Sequence, residues 1–167
     1  MNRRLFLLAL LPVLALLGGC YTFSGISIDP NAKTINVRYV ENHAPIVAPT
    51  LSPIFTQKLK DRITGQTGLT LTNSEEADLD LNAQITGYDV SVAAIQNTQQ
   101  ATLNRLSITV NVVYASRKNE KDNFTQSFTR FADFNASQSV QSAEVQLIPQ
   151  ISDQLVEDIF NRAFANW

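Results

Sequence analysis

Cysteine and histidine are nearly absent from this chain of 167 residues, which contains one of each. His43 lies in a turn beside Pro45, and the residues around it do not have the spacing of a metal-ligand motif. A Ser-His-Asp triad is compatible with the composition, but the chain has no Gly-x-Ser-x-Gly nucleophile motif. We therefore predict that His43 is a surface turn residue and that the chain has no metal site, no cofactor and no catalytic residues.

Charged residues are also scarce, at 17% of the chain against roughly 25% in typical soluble domains. No basic stripe of the kind that binds nucleic acid is present. Without the two arginines of residues 1–19, 13 − 2 = 11 basic residues stand against 15 acidic ones. The polar surface must therefore consist mainly of Ser, Thr, Asn and Gln, which cost less to desolvate against a partner than Lys and Glu.

Long apolar runs are limited to one, which extends from Leu5 to Leu17 behind two arginines. It is shorter than the roughly 20 residues that cross a bilayer, as is typical of a secretory signal peptide. The run ends in Leu-Gly-Gly-Cys, the form of a bacterial lipobox, and Cys20 is the only cysteine. The pattern predicts a diacylglycerol thioether on Cys20 and an N-terminal acyl chain such as palmitate. Several chains together would anchor the protein firmly, because one chain binds a membrane only marginally.

This interpretation divides the chain into three parts. Residues 1–19 are the signal peptide that is removed, and residues 20–33 are the acylated cysteine and an extended leader. Residues 34–167 form a single domain. The mature chain would have 167 − 19 = 148 residues, enough to bury a hydrophobic core without disulfides or metal.

The first part of the domain reads as a strand followed by a helix. Apolar and polar residues alternate over 34–41, which predicts a half-buried strand with Tyr39 among its inner residues. Ser52 then precedes Pro53, a combination typical of a helix start with a hydroxyl cap. Apolar residues recur every four positions from there, and the helix is predicted to stop near Gly65.

Three longer stretches alternate in the same way, over residues 79–92, 103–115 and 124–134. Consecutive strands of this length are expected to pair antiparallel. In the first stretch the alternation changes phase at Gly87, which suggests a β-bulge and turns Val92 toward the inner face.

The C-terminal residues from about 142 carry an apolar helical stripe. Pro149 lies within it, and we favour a longer helix that contains this proline over a helix that begins there. Residues 69–71 are a short extended piece. The predicted fold is an α+β two-layer sandwich of order β-α-β-β-β-α, with a four-stranded, mainly antiparallel sheet and two amphipathic helices on one face. Three aromatic residues at the end of the chain are expected to pack in the core, with a partner anchor as the alternative: Phe160, Phe164 and Trp167.

The sequence resembles the LptE family, and the similarity extends over nearly the whole mature chain. No single stretch is a catalytic signature, so the resemblance depends on the order of the stretches and on the lipobox. Pro149 departs from the uninterrupted last helix that we expect for the family. The similar stretches are Tyr21–Gly25, Asn42–Pro45, Gln84–Tyr88, Leu103–Val112, Phe124–Asp133 and Glu157–Trp167.

This resemblance implies a non-enzymatic outer-membrane lipoprotein that works in lipopolysaccharide transport. Members of the family sit as a plug in the lumen of LptD, a large outer-membrane barrel, and help it assemble. They have also been linked to lipopolysaccharide binding. The expected partners are thus an LptD-like barrel, lipopolysaccharide and the membrane through the lipid anchor. The expected location is the outer membrane, with the domain on the periplasmic side and within the barrel lumen.

Two sets of residues are candidates for these contacts. A barrel lumen is polar and wet, so a plug needs many hydrogen-bonding groups there. The alternative for this polar face is an ordinary solvated sheet surface. The candidate barrel-contact face consists of outward positions of the predicted strands, namely Asn82, Gln84, Ser107, Thr109 and Asn111. Arginine and lysine suit phosphate oxygens, and the candidate lipopolysaccharide contacts are Arg105, Arg130, Arg117, Lys118 and Lys121.

Simpler interpretations of the cations remain open. The two arginines within strands could equally be paired across the sheet. The three other cations lie in the charged turn over residues 117–123, which we call the hairpin tip. They are interspersed with acidic residues, so their role could be limited to keeping this turn soluble. At the level of the whole protein, the alternative is a periplasmic ligand-binding lipoprotein unrelated to lipopolysaccharide export, which would need a concave apolar pocket.

Overall fold

The computed structural model of the chain describes residues 28–95 and 101–165. The predicted signal peptide, Cys20 and Trp167 lie outside the described residues. Six strands and two α-helices follow one another along the described residues, and a single 3₁₀ turn lies between the last two strands. The elements are β1 (Thr34–Val37), β2 (Glu41–Asn42), α1 (Leu51–Gln66), β3 (Thr70–Thr72), β4 (Leu79–Ile95), β5 (Ala101–Ser116), β6 (Phe124–Asn135) and α2 (Val140–Phe164).

The strands form one mixed sheet in the order β3-β1-β4-β5-β6, and β2 also pairs with β4. The β4–β5 and β5–β6 pairs are antiparallel, as predicted. The β1–β3, β1–β4 and β2–β4 pairs are parallel. The predicted α+β two-layer fold is confirmed, but the sheet has six strands instead of four. The extended piece near residue 70 joins the sheet as the short edge strand β3, and the first predicted strand is divided in two.

The break between β1 and β2 comes from one extra residue. Val37 is aligned with Leu81 of β4, but Glu41, four residues later, is aligned with Gln84, three residues later. An extra residue exchanges the two faces of a strand. Tyr39 is therefore 56% exposed, and its predicted inward position is wrong.

Helix α1 begins one residue before the predicted cap. Thr50 is the N-cap residue and its side chain makes no capping hydrogen bond. Ser52 lies inside the first turn and is buried, so its predicted role as a cap is wrong. Pro53 is tolerated here because the first-turn N–H groups have no partner within the helix. At the other end, Thr67 closes the helix, since its hydroxyl donates to the carbonyl of Ile63 at 2.6 Å.

Strands β4 and β5 form a long hairpin that contains the predicted irregularity. The register shifts between Ile85 and Gly87, which confirms the bulge. A Cβ at position 87 would lie 3.0 Å from the Cβ of Thr109 on β5, so the glycine allows the two strands to approach closely. Val90 still packs against the core. Val92 lies on the same side of the sheet, opposite Asn104 of β5, as predicted, but it extends past the core and is 56% exposed.

Helix α2 contains Pro149 within its length, as favoured from the sequence. It begins two residues earlier than expected, because Ser139 caps it and accepts a hydrogen bond from the N–H of Ser142 at 3.2 Å. No helix in the described residues is long and apolar enough to cross a bilayer.

Both helices share one hydrophobic core with the inner face of the sheet. Phe160 and Phe164 are buried in it, which confirms core packing for these two aromatic residues. Tyr114 of β5 stacks on Phe124 with ring centroids 5.4 Å apart and meets Phe164 edge-on at 5.8 Å. Burial, with a smaller contribution from the charge of Asp122, raises the pKa of Tyr114 to about 12.

Candidate interaction surface

The sheet face opposite the helices carries the five predicted polar positions. Side chains of a strand alternate between its two faces, and the alternate residues of β4 and β5 pack into the core. The register places Gln84 directly opposite Asn111, and Thr109 opposite Gly87. The structure thus brings together Asn82, Gln84, Ser107, Thr109 and Asn111, which are all half-buried.

Strand β6 extends this surface with residues that the sequence analysis did not single out. The hydroxyl oxygens of Thr129 and Thr109 are 2.9 Å apart, within hydrogen-bond distance. Ser127 donates to the side-chain oxygen of Asn111 at 3.2 Å. The period of two in β6 was the signal that could have identified these residues. We call the surface formed by these seven residues, from Asn82 to Thr129, the outer sheet face.

Charged groups lie at the margins of the outer sheet face. At one end, Asp80 accepts a hydrogen bond from the side chain of Asn36 at 2.9 Å and pairs with Arg38 at 3.4 Å. Asp89 lies opposite Ser107 and is exposed. The centre of the face therefore presents hydroxyl and amide groups between charged borders.

Arg105 lies on the same side of the sheet as the outer sheet face, near the start of β5. It stands directly opposite Asp133 of β6 and donates to both carboxylate oxygens, at 2.7 and 3.0 Å. Its guanidinium carbon is 3.7 Å from the ring centroid of Phe131. The hydrogen bond to Arg105 lowers the pKa of Asp133 from its ordinary value, and the same bond raises the pKa of Arg105.

Arg130 lies on the helix side of the sheet. Its guanidinium donates to both carboxylate oxygens of Asp158 on α2, at 2.5 and 2.6 Å. This contact ties β6 to the last helix. Arg105 and Arg130 therefore point to opposite sides of the sheet, and the structure does not bring these two candidate contacts together.

The hairpin tip is the turn between β5 and β6, at the other end of β5 from Arg105. Two of its three cations contact the turn before β4. Arg117 donates to the backbone carbonyl of Glu75, and Lys118 pairs with Asp78 at 3.0 Å. Lys121 is exposed in the 3₁₀ turn and makes no ion pair within the described part of the chain.

Asp78 also accepts hydrogen bonds from the backbone N–H groups of Lys33 and Thr34, at 2.9 and 3.1 Å, and from the Thr34 hydroxyl at 3.0 Å. These hydrogen bonds, led by that of Lys33 and followed by that of Lys118, hold the pKa of Asp78 far below its ordinary value. The carboxylate thereby joins the start of β1, the β3–β4 turn and the hairpin tip.

His43 and a concave region near the end of α2 are the features that bear on metal and ligand binding. His43 is exposed and its ring nitrogen lies 3.0 Å from a carboxylate oxygen of Glu41. Residues 28–95 and 101–165 contain no group of three metal-ligating side chains. A concave region of about 750 Å³ lies between the end of α2 and the hairpin tip. Charged residues on its wall include Lys121 and Arg162, so it is not the apolar pocket that a ligand-binding lipoprotein would need.

Solved structures with the same fold include several bacterial lipoproteins. A minor lipoprotein from Acinetobacter baumannii is 19% identical with a TM-score of 0.50, and the match covers 78% of this chain and 91% of that one. A hypothetical protein from Chlamydia trachomatis is 13% identical with a TM-score of 0.52, covering 78% and 95%. Rare lipoprotein B from Shewanella oneidensis is 11% identical with a TM-score of 0.50, covering 77% and 92%. No curated protein matches the chain.

These similarities define the class of fold, a two-layer α+β domain that occurs in bacterial lipoproteins. The particular family follows from the sequence itself. The LptE family, described as lipopolysaccharide-assembly, matches residues 32–163. The chain therefore belongs to the LptE family, and the resemblance noted in the sequence is confirmed.

Proposed function

We propose that the chain is a non-enzymatic, lipid-anchored outer-membrane protein that plugs an LptD-like barrel and helps it assemble for lipopolysaccharide export to the cell surface. The observation that carries the proposal is the family match over residues 32–163. The domain would lie on the periplasmic side and within the barrel lumen, with Cys20 as the anchor.

The outer sheet face supports contact with a barrel wall. Its hydroxyl and amide groups can exchange hydrogen bonds with the polar side chains that line a barrel lumen. Neutral polar groups cost much less to remove from water than charged ones. A surface of this kind can therefore be covered by a partner without leaving a buried unpaired charge.

Direct contact with lipopolysaccharide is the finer part of the proposal. Phosphate groups attract Arg and Lys, but four of the five candidate cations already contact acceptors of this chain. Arg105, Arg130 and Lys118 form ion pairs, and Arg117 donates to a backbone carbonyl. Among the residues that the structure describes, Lys121 is the candidate that is exposed without such an ion pair. Titration of the purified chain with lipopolysaccharide tests this part of the proposal. The absence of saturable binding would contradict direct contact with lipopolysaccharide.

Charged substitutions test the proposed barrel contact. We expect Thr109→Lys and Asn111→Lys to reduce the yield of co-purified barrel about tenfold or more, because each places an unpaired charge in the interface. The matched control is Gln154→Lys, which places the same charge at an exposed position of α2. Equal barrel yields from all three variants and the wild type would show that the outer sheet face is not the contact.

A further inference from the structure

Three residues on the outer side of the sheet form a cluster that we call the Arg105 anchor: Arg105, Phe131 and Asp133. The guanidinium of Arg105 lies on the ring of Phe131 and is held in place by both oxygens of Asp133. The three side chains come from two paired strands, so the sheet fixes their positions relative to one another. The cluster is continuous with the outer sheet face, because Phe131 lies directly opposite Ser107.

The composition of the anchor is that of a protein contact. Phe131 is 48% exposed, and Leu103, on the same side of β5, is 38% exposed. Among the described residues no ring covers the second face of the Arg105 guanidinium. Arginine and the aromatic residues Trp and Tyr are enriched among the residues that contribute most of the binding free energy at protein interfaces. A guanidinium that already lies on one ring can take a second apolar or aromatic group on its free face.

The charge of the anchor disfavours a phosphate ligand. Arg105 and Asp133 together carry no net charge, and two of the guanidinium nitrogens already bond the carboxylate. A phosphate could reach only the remaining N–H groups of Arg105, beside the carboxylate of Asp133, and would also approach the exposed Asp89 nearby on β4. A neutral partner surface meets neither obstacle, because it can cover the ion pair as a unit.

We propose that the Arg105 anchor is a protein-docking site that is seated against the lumen-facing wall of the barrel and takes an aromatic or aliphatic side chain there. This inference rests on the proposed function and assigns Arg105 to the protein partner instead of to lipopolysaccharide. Phe131 and Arg105 supply the contact surface. Asp133 holds the guanidinium over the ring and cancels its charge.

Three substitutions separate docking from phosphate binding. Phe131→Ala removes the ring, and Arg105→Lys keeps the charge but loses the planar, two-pronged group. Asp133→Asn keeps the shape but frees the cation. Each variant is expected to bind the detergent-solubilised barrel about tenfold more weakly than the wild type. The binding of purified lipopolysaccharide should be unchanged in all three.

The control for a freed cation is Asp153→Asn, which releases Lys58 from an ion pair of 2.5 Å on the helix side of the molecule. It should leave barrel binding unchanged. Asp89 lies opposite Ser107, two residues along β5 from Arg105, so the double variant Asp89→Asn/Asp133→Asn removes both nearby carboxylates and should bind the barrel at least as weakly as Asp133→Asn. Far-ultraviolet circular dichroism and urea unfolding midpoints are measured for each variant to check that it is folded.

The two readouts decide between the alternatives. Unchanged barrel binding by the three variants overturns the docking proposal. Tighter lipopolysaccharide binding by Asp133→Asn, with unchanged barrel binding, would identify the site as a masked phosphate site instead. A wild-type chain that binds no barrel at all contradicts the proposed function, and this outcome is distinct from a failure of the anchor alone.

Discussion

At the scale of single residues, Thr56 has a structural role that its place in the sequence does not indicate. It lies in α1 and is buried. Its hydroxyl accepts a hydrogen bond from the backbone N–H of Val40 at 3.0 Å and donates to the carbonyl of Ser52 at 2.7 Å. Val40 is the buried residue in the break between β1 and β2, so this hydroxyl provides the bond that the sheet does not.

Thr56→Val tests this role. Valine keeps the shape of the side chain but leaves the buried N–H of Val40 without an acceptor, which costs about 1–3 kcal/mol. Urea unfolding should therefore show a free energy of unfolding lower by that amount. The matched control is Thr64→Val, which removes an exposed hydroxyl that bonds a carbonyl of the same helix. A Thr56→Val variant as stable as the control would rule out the proposed bond.

The residues that sequence reasoning placed wrongly depend on contacts between distant parts of the chain. Tyr39 follows the alternation of its strand, but the register with β4 gains a residue there and turns the side chain outward. Ser52 has the right type and position for a cap, but the core covers it. The outward position of Tyr39 and the burial of Ser52 cannot be recognised in the local sequence, because both depend on the packing of elements that are far apart in the chain.

At the scale of elements, patterns sustained over many residues gave correct predictions. The faces of β5 were assigned correctly because a period of two continues over its whole length. The bulge at Gly87 was visible as a change of phase. Strand β3 is only three residues long, too short for any period, so its parallel pairing with β1 could not be foreseen.

Asp78 joins three elements, and its pKa gives a prediction about pH. The carboxyl pKa is lower in the folded protein than in the unfolded chain, where it is about 3.9. Its contribution to stability is therefore complete above that value and is lost as the pH falls toward the folded pKa. We expect the urea midpoint of the wild type to fall between about pH 4 and pH 2, and that of Asp78→Asn to fall less steeply from a lower starting value.

Glu76→Gln is the control for this series. It removes a carboxylate from the same turn, and the side chain of Glu76 accepts no hydrogen bond within residues 28–95 and 101–165. Its pH dependence should follow that of the wild type. An Asp78→Asn variant with the wild-type midpoint and slope would mean that the carboxylate does not join these elements in solution.

At the scale of the whole molecule, the two sides differ in their chemistry. The helix side carries ion pairs between α1 and α2, such as Lys58–Asp153 and Arg62–Glu157. The sheet side carries the neutral outer sheet face and the Arg105 anchor. The positions of the outer sheet face on β4 and β5 were predicted from the alternation. The pairing of Arg105 with Asp133 was left open, since the register of β5 and β6 decides it.

Site-specific photo-crosslinking in cells tests the central claim most directly. A photoreactive residue at Thr129 lies on the outer sheet face, and one at Gln154 lies on the exposed side of α2. The proposal predicts that Thr129 yields an adduct with an LptD-like barrel, identified by mass spectrometry, and that it does so in higher yield than Gln154. If Thr129 captures no barrel in acylated, membrane-anchored protein, the outer sheet face does not meet a barrel wall, and if Gln154 captures none either, the proposed plug is contradicted.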